Sequence, residues 1–149
     1  MGVLDTIVWR VDATDPDPRV LAEAGAFIRR GRLVAFPTET VYGLGASAQD
    51  AAAVGALFTV KGRPADNPLI LHLAAAEELS PYVRGIPPLA AKLIEAFWPG
   101  PLTLVLFGSG KLPPVVTGGL PTVAARVPAH PVALGIVRAA GVPVVAPSA

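Results

Sequence analysis

Cysteine is absent from the 149 residues. That removes disulfides, thiolate nucleophiles and Cys-ligated zinc. Charge is scarce as well: Asp, Glu, Lys and Arg make up 15% of the chain, and 12 basic residues nearly cancel 11 acidic ones to leave a formal net charge of +1. A general nucleic-acid coat needs a larger basic excess, so any use of positive charge here has to be local. No apolar run approaches the roughly 20 residues that span a bilayer. The early residues Asp5, Asp12, Asp15 and Asp17 do not read as a secretion signal, and a cytoplasmic protein is the expectation. Hydrophobic residues, in contrast, reach 52%. That excludes a disordered chain and suffices for the core of one ordinary domain. The 15 Gly and 17 Pro are scattered between apolar segments as punctuation.

Periodicity and punctuation predict an intermixed order of helices and strands. Residues 12–18 read Asp-Ala-Thr-Asp-Pro-Asp-Pro, a turn into a helix capped by Asp15 or Asp17. Val20, Ala24, Phe27 and Ile28 recur at helical spacing, and Gly31 is a natural stop. A strand over Leu33–Phe36 ends at Pro37, followed by the polar turn Thr38-Glu39-Thr40 and then Val41-Tyr42-Gly43-Leu44-Gly45. The next helix starts near Ser47 or Asp50 and buries Val54, Leu57 and Phe58. Lys61, seven residues after Val54, is expected on that same core-side face, with Gly62 as terminator. Further strands are predicted over Leu69–Leu73, Leu102–Phe107, Thr122–Val127 and Val142–Ala146. Helices are predicted over Pro88–Phe97, with Leu89, Leu93 and Phe97 on one side, and over Pro131–Ala140. This mixture means an α/β or α+β chain with one mixed sheet covered by helices.

The polar residues that stand out sit at the ends of these elements. In Lys61-Gly62-Arg63-Pro64-Ala65-Asp66-Asn67, two cations flank a glycine. The ordinary reading is a solvated helix end whose charges suit the helix dipole. The placing of Lys61 on a core-side stripe argues instead for an anionic partner. Arg63 could then grip a phosphate bidentately while Lys61 acts as a point charge. Thr38 to Gly45 offers hydroxyls, a phenol and glycines at a strand end, where a hairpin turn is the bland alternative. Gly43-x-Gly45-x-x-Ala48 matches a dinucleotide fingerprint only loosely, since its first glycine comes seven residues after the strand ends. Gly108-Ser109-Gly110-Lys111 is no P-loop, because Val105 and Leu112 stand where Gly and Ser or Thr are needed. His72 reads as a core histidine and His130 as a structural residue at a helix start; together they make no metal site. Arg126 lies inside an apolar strand and must meet an anion or reach a cleft. Ser148 puts a hydroxyl at the end of the last strand. Cations, hydroxyls and one amide in such places bind anions better than they move protons.

Taken together these segments resemble the YrdC/Sua5 family, the L-threonylcarbamoyladenylate synthases. The resemblance rests on Phe36 to Gly45, Lys61-Gly62-Arg63-Pro64 with Asn67-Pro68-Leu69, and Leu71-His72. It continues through Trp98-Pro99-Gly100-Pro101-Leu102-Thr103, Arg126-Val127-Pro128 and Pro147-Ser148-Ala149, in order over roughly residues 20–149. It implies an α/β domain over residues 1–149, a twisted mixed sheet flanked by helices around a deep positive cavity. In the family, Pro-Ser-Ala is followed by further domain, so the domain is expected to be incomplete at its C-terminus. The implied reaction condenses L-threonine, bicarbonate and ATP into threonylcarbamoyl-AMP and pyrophosphate, with magnesium held on the nucleotide phosphates. A separate transferase then carries the threonylcarbamoyl group to an adenosine of tRNA. By motif, Thr40, His72, Arg126 and the backbone at Ala146 are implied to contact threonine, and Arg63, Asn67, Thr122 and Ser148 to contact ATP. Lys61 and Arg63 are the implied catalytic residues, with Lys61 between the two ligands. Two other functions compete: a carbamoyl-adenylate-forming YrdC-like module, and a non-catalytic double-stranded RNA-binding or ribosome-assembly protein. The near-neutral charge and 6% aromatics weigh against broad RNA binding.

Overall fold

Alternation along each strand decides which residues face which layer, and the pairing register carries that choice across the whole sheet. The computed structural model describes residues 5–149, so the first four residues of the expected domain lie outside it. The helices are α1 (Pro18–Arg29), α2 (Ala51–Lys61), α3 (Pro88–Phe97), α4 (Pro114–Thr117) and α5 (Pro131–Ala140). The strands are β1 (Val34–Phe36), β2 (Gly43–Ser47), β3 (Ile70–His72), β4 (Leu104–Phe107), β5 (Thr122–Arg126) and β6 (Val144–Val145). A 3-10 segment runs from Ala76 to Tyr82. The six strands form one sheet in the order β1-β2-β6-β3-β5-β4, in which β3 and β5 are parallel and every other pair is antiparallel.

Local chemistry sets the helix ends. Asp17 caps α1 by accepting from the Arg19 amide, and Asp50 caps α2 by accepting from the Ala53 amide. Gly62 and Gly141 take left-handed conformations just past α2 and α5. His130, expected to be structural, caps α5 through Nδ1, which accepts from the Val132 amide.

One sheet face carries Leu69, Leu71, Leu73, Ala46, Val145, Val123, Ala125 and Leu104, all buried beneath residues of α2, α3 and α4. The other face is covered over only half its width. There α1 and α5 bury Val34, Phe36, Val144 and Ala146. On the β3-β5-β4 half, Ile70, Ala124 and Thr122 are only partly covered, and Val105 and Phe107 are each 63% exposed.

The structure corrects several expectations. Most strands are one to three residues shorter than their apolar runs. Gly43–Ser47 is a strand, β2, where only a turn and a glycine-rich stretch were expected. Its glycines make room for neighbours: a Cβ at Gly45 would lie 2.5 Å from the Phe36 ring, which disposes of the dinucleotide fingerprint. On α3 the inward residues are Ala90, Leu93 and Ile94, whereas Leu89 and Phe97 are exposed. In keeping with expectation, the turn at Gly108–Lys111 is a surface loop, held by the Ser109 hydroxyl, which donates to the Pro81 carbonyl at 2.7 Å.

The tight α1–α5 layer yields a graded test. A Cβ on Gly25 would come within 2.6 Å of the Ala139 and Ala140 backbone, which cannot yield locally. At Gly135 it would meet only the flexible end of Leu21. Gly25→Ala is expected to cost about 2 kcal/mol in urea unfolding through overpacking. Gly135→Ala should stay within about 1 kcal/mol of wild type, because better helix propensity offsets the contact. Equal effects would contradict this packing.

Candidate functional site

The half-covered face carries four of the nine site residues expected from sequence: Thr122, Arg126, His72 and Ala146. In β5, Thr122, Ala124 and Arg126 alternate onto it. Register places His72 beside Arg126 and beside Val144, and Ile70 beside Ala124. The Ala146 amide donates to the Ile70 carbonyl at 3.2 Å, so Ala146 extends the same row. His72 and Arg126 therefore lie at one end of this floor, with Thr122 at the other, about 13 Å away at strand rise. At the Thr122 end, Ser148 bridges Gly43. Arg63 and Asn67 stand in the stretch that links α2 to β3.

Arg126 is 7% exposed, yet it is charged. Its guanidinium pairs with the Glu39 carboxylate, and the other Glu39 oxygen accepts from the Ala129 amide at 2.6 Å. The Arg126 Nε is buried without a partner. The reading of Arg126 as a cation needing an anion thus holds in form, with a protein carboxylate supplying the anion. Glu39 was missed as a site residue. The signal for it was the only carboxylate in the turn after β1, set against a lone cation in an apolar strand.

His72 is 3% exposed and meets the Phe36 ring edge-on at a centroid distance of 6.3 Å. Its Nδ1 lies 3.0 Å from the Ile70 carbonyl oxygen. A carbonyl only accepts, so Nδ1 carries the proton and Nε2 of the neutral ring is left as an acceptor. Burial lowers the His72 pKa from 6.5 to about 4, against the pull of its hydrogen bond to Ile70.

The remaining residues are placed less deeply. Lys61 is exposed at the last position of α2. This corrects the core-side placement: the stripe of Val54, Leu57 and Phe58 stops one turn earlier, where the core ends. Arg63 is partly buried; its guanidinium donates to the Pro68 carbonyl at 3.0 Å, and its Nε is buried without a partner. Asn67, Thr40 and Ser148 are exposed. The Thr38 hydroxyl lies 3.0 Å from that of Thr40 and donates to the Val41 carbonyl at 2.6 Å, which closes the turn carrying Glu39. Cavities of about 310 and 810 Å³ open beside Thr122, and neither is lined by Lys61, Arg63 or Arg126. The site is an open sheet face with a buried cation, Arg126, at one end; the more exposed Lys61 and Arg63 stand at and just after the end of α2. Such a face can hold an extended anionic ligand.

Comparison with known proteins bears on this arrangement. Residues 26–149 match the family model Sua5_yciO_yrdC, described as telomere recombination. A threonylcarbamoyl-AMP synthase of Pyrococcus abyssi is 58% identical over 126 residues, 85% of this chain and 37% of that protein. One of Bacillus subtilis is 49% identical over 146 residues, 95% of this chain and 42% of that protein. The crystal structure of P. abyssi Sua5 complexed with L-threonine superposes with a TM-score of 0.88 at 54% identity, over 90% of this chain and 39% of that one. The chain thus spans about two-fifths of the length of these relatives.

The depressed pKa of His72 makes a stability prediction. Its folded value of about 4 lies below the ordinary 6.5, so the unfolded chain takes up the proton first as pH falls. The contribution is whole above pH 6.5 and declines towards pH 4. Urea unfolding at pH 5 should show about 2 kcal/mol less stability from this group than at pH 7. His72→Gln should flatten that slope, and an unchanged slope in the variant would remove His72 as its source.

Proposed function

The chain belongs to the Sua5/YciO/YrdC family, and on that premise we propose that it takes part in making threonylcarbamoyl-AMP from L-threonine, bicarbonate and ATP. The observation that carries this reading is Arg126, a buried guanidinium on an open sheet face, already gripping a carboxylate. The same donors, guanidinium and Ala129 amide, suit the α-carboxylate of an amino acid. His72, neutral with Nε2 as an acceptor, suits a donor group of the same ligand. Thr40 and Ala146 complete the amino-acid end. Arg63, Asn67, Thr122 and Ser148 serve the nucleotide, with magnesium carried on its phosphates. A further transferase and tRNA use the product, and the setting is cytoplasmic. Residues 1–149 are taken as one YrdC-like domain.

The chemistry suits cations better than bases. Threonine's amine and bicarbonate give a carbamate with loss of water. A carbamate oxygen then forms a bond to the α-phosphorus of ATP while the bond to pyrophosphate breaks. Both reactants are anions, and two unit charges 4 Å apart repel by about 4 kcal/mol at an effective dielectric of 20. Lys61 and Arg63 offset that repulsion and align the groups. The exposure of Lys61 suits a flexible point charge that settles between bound ligands.

The test is threonine- and bicarbonate-dependent pyrophosphate release from ATP, run on this chain and on one extended as in the relatives. Lys61→Ala should lower the rate by about a hundredfold or more, as loss of an oxyanion donor does. Near-normal release from that variant would remove Lys61 from the reaction.

A further inference from the structure

Glu39 occupies a place that its position in the chain does not make natural. The β1–β2 turn leaves the sheet level with Ser148, since Phe36 pairs with Gly43 and Gly43 bridges Ser148. Arg126 lies in the row of His72, Val144 and Ser47, four residues farther along β2. The side chains of Glu39 and Arg126 meet across that offset, which draws the turn back over the open face. The turn itself is held internally by Thr38, with Thr40 and Val41 exposed on it. Among the described residues its other hydrogen-bonded ties are backbone ones at its far end, from Ala149 to Tyr42 and from Leu44 to Pro147.

We infer that Glu39 is a built-in stand-in for the ligand carboxylate: it holds the Arg126 guanidinium and the Ala129 amide until an arriving carboxylate exchanges with it and releases the Thr38–Val41 turn. The physical need is plain. A guanidinium as buried as Arg126 cannot be left without a counter-charge between turnovers. A carboxylate tethered to a surface turn meets that need and can still be displaced, because its side chain keeps contact with water at 22% exposure. Amino-acid binding is then an exchange of one carboxylate for another. The intrinsic affinity of the site is masked by the fraction of molecules in which Glu39 is seated. Release of the turn also frees Thr40 from its place beside Thr38, so one event clears the anion site and makes a hydroxyl available. This inference rests on the proposed amino-acid site for its choice of ligand, and on the Glu39 geometry for everything else.

The test uses this chain and its Glu39→Gln and Glu39→Ala variants, with calorimetric titration of L-threonine and, separately, of acetate as the smallest carboxylate. Circular dichroism checks that each variant is folded. If Glu39 is seated nine times in ten, both variants should bind threonine about tenfold more tightly than wild type. Acetate should bind the variants saturably and wild type far more weakly. Gain of acetate binding without threonine binding in any of the three proteins would uphold the stand-in role and remove the threonine reading. Weaker threonine binding in the variants would make Glu39 a direct ligand and overturn the inference. Unchanged binding of both probes would overturn it too.

Discussion

A positive charge in the interior of a small apolar sheet constrains everything around it. Arg126 sits on β5 between Ala125 and Val127, both buried in the core on the opposite face. Its own face cannot be closed by a helix of ordinary apolar composition without stranding the guanidinium. The helical layer of α1 and α5 covers β1, β2 and β6 and leaves β3, β5 and β4 partly open. The Glu39 carboxylate and the Ala129 amide fill the gap where that layer stops. The candidate site is the part of the sheet that the packing leaves uncovered, and the cation marks its edge.

The same arrangement separates two kinds of polar residue. His72 and Arg126 are deep, held by strand register and by contacts to Ile70, Phe36 and Glu39. Lys61, Asn67, Thr40 and Ser148 are shallow and sit on helix ends and turns. Deep groups give a fixed geometry, whereas shallow ones adjust to a ligand at the cost of ordering their side chains. Arg63 lies between these extremes, anchored to the Pro68 carbonyl but with an unsatisfied Nε. An extended anionic ligand is served by both kinds.

How much of this could be read from residues alone depends on the range of the interaction. Helices were legible because their signals are local: Asp17 and Asp50 as caps, Gly31 and Gly62 as stops, Val54, Leu57 and Phe58 as a stripe. Strands built of branched or large residues were legible to within a few positions. The strand β2 was not, because glycines selected for the closeness of Phe36 imitate a loop. The short α4, in a proline-rich stretch, and the 3-10 segment of Ala76–Tyr82 have too few residues to show a period. On α3, spacing found one side of the helix, but only the position of the core decided that Ala90 and Ile94 face inward. Lys61 was put on the right side of α2 and at the wrong depth, since spacing says nothing about where a core ends. The Glu39–Arg126 pair joins positions 87 apart. Each half was visible as an oddity; their meeting is a property of the sheet.

The layer of α1 and α5 has a consequence for how the chain is made. Arg29 near the end of α1 donates to the carbonyls of Ala139 and Ala140 in the last turn of α5, residues 110 and 111 positions later. On a ribosome adding about 5–20 residues per second, the first helix waits on the order of 5–20 seconds for its partner to be synthesised. Through that interval its Ala24 and Ile28 stripe has no permanent cover. A helix that depends on one made about 110 residues later leaves this layer incomplete until α5 has emerged, with the nascent chain shielded meanwhile by whatever binds exposed apolar helices.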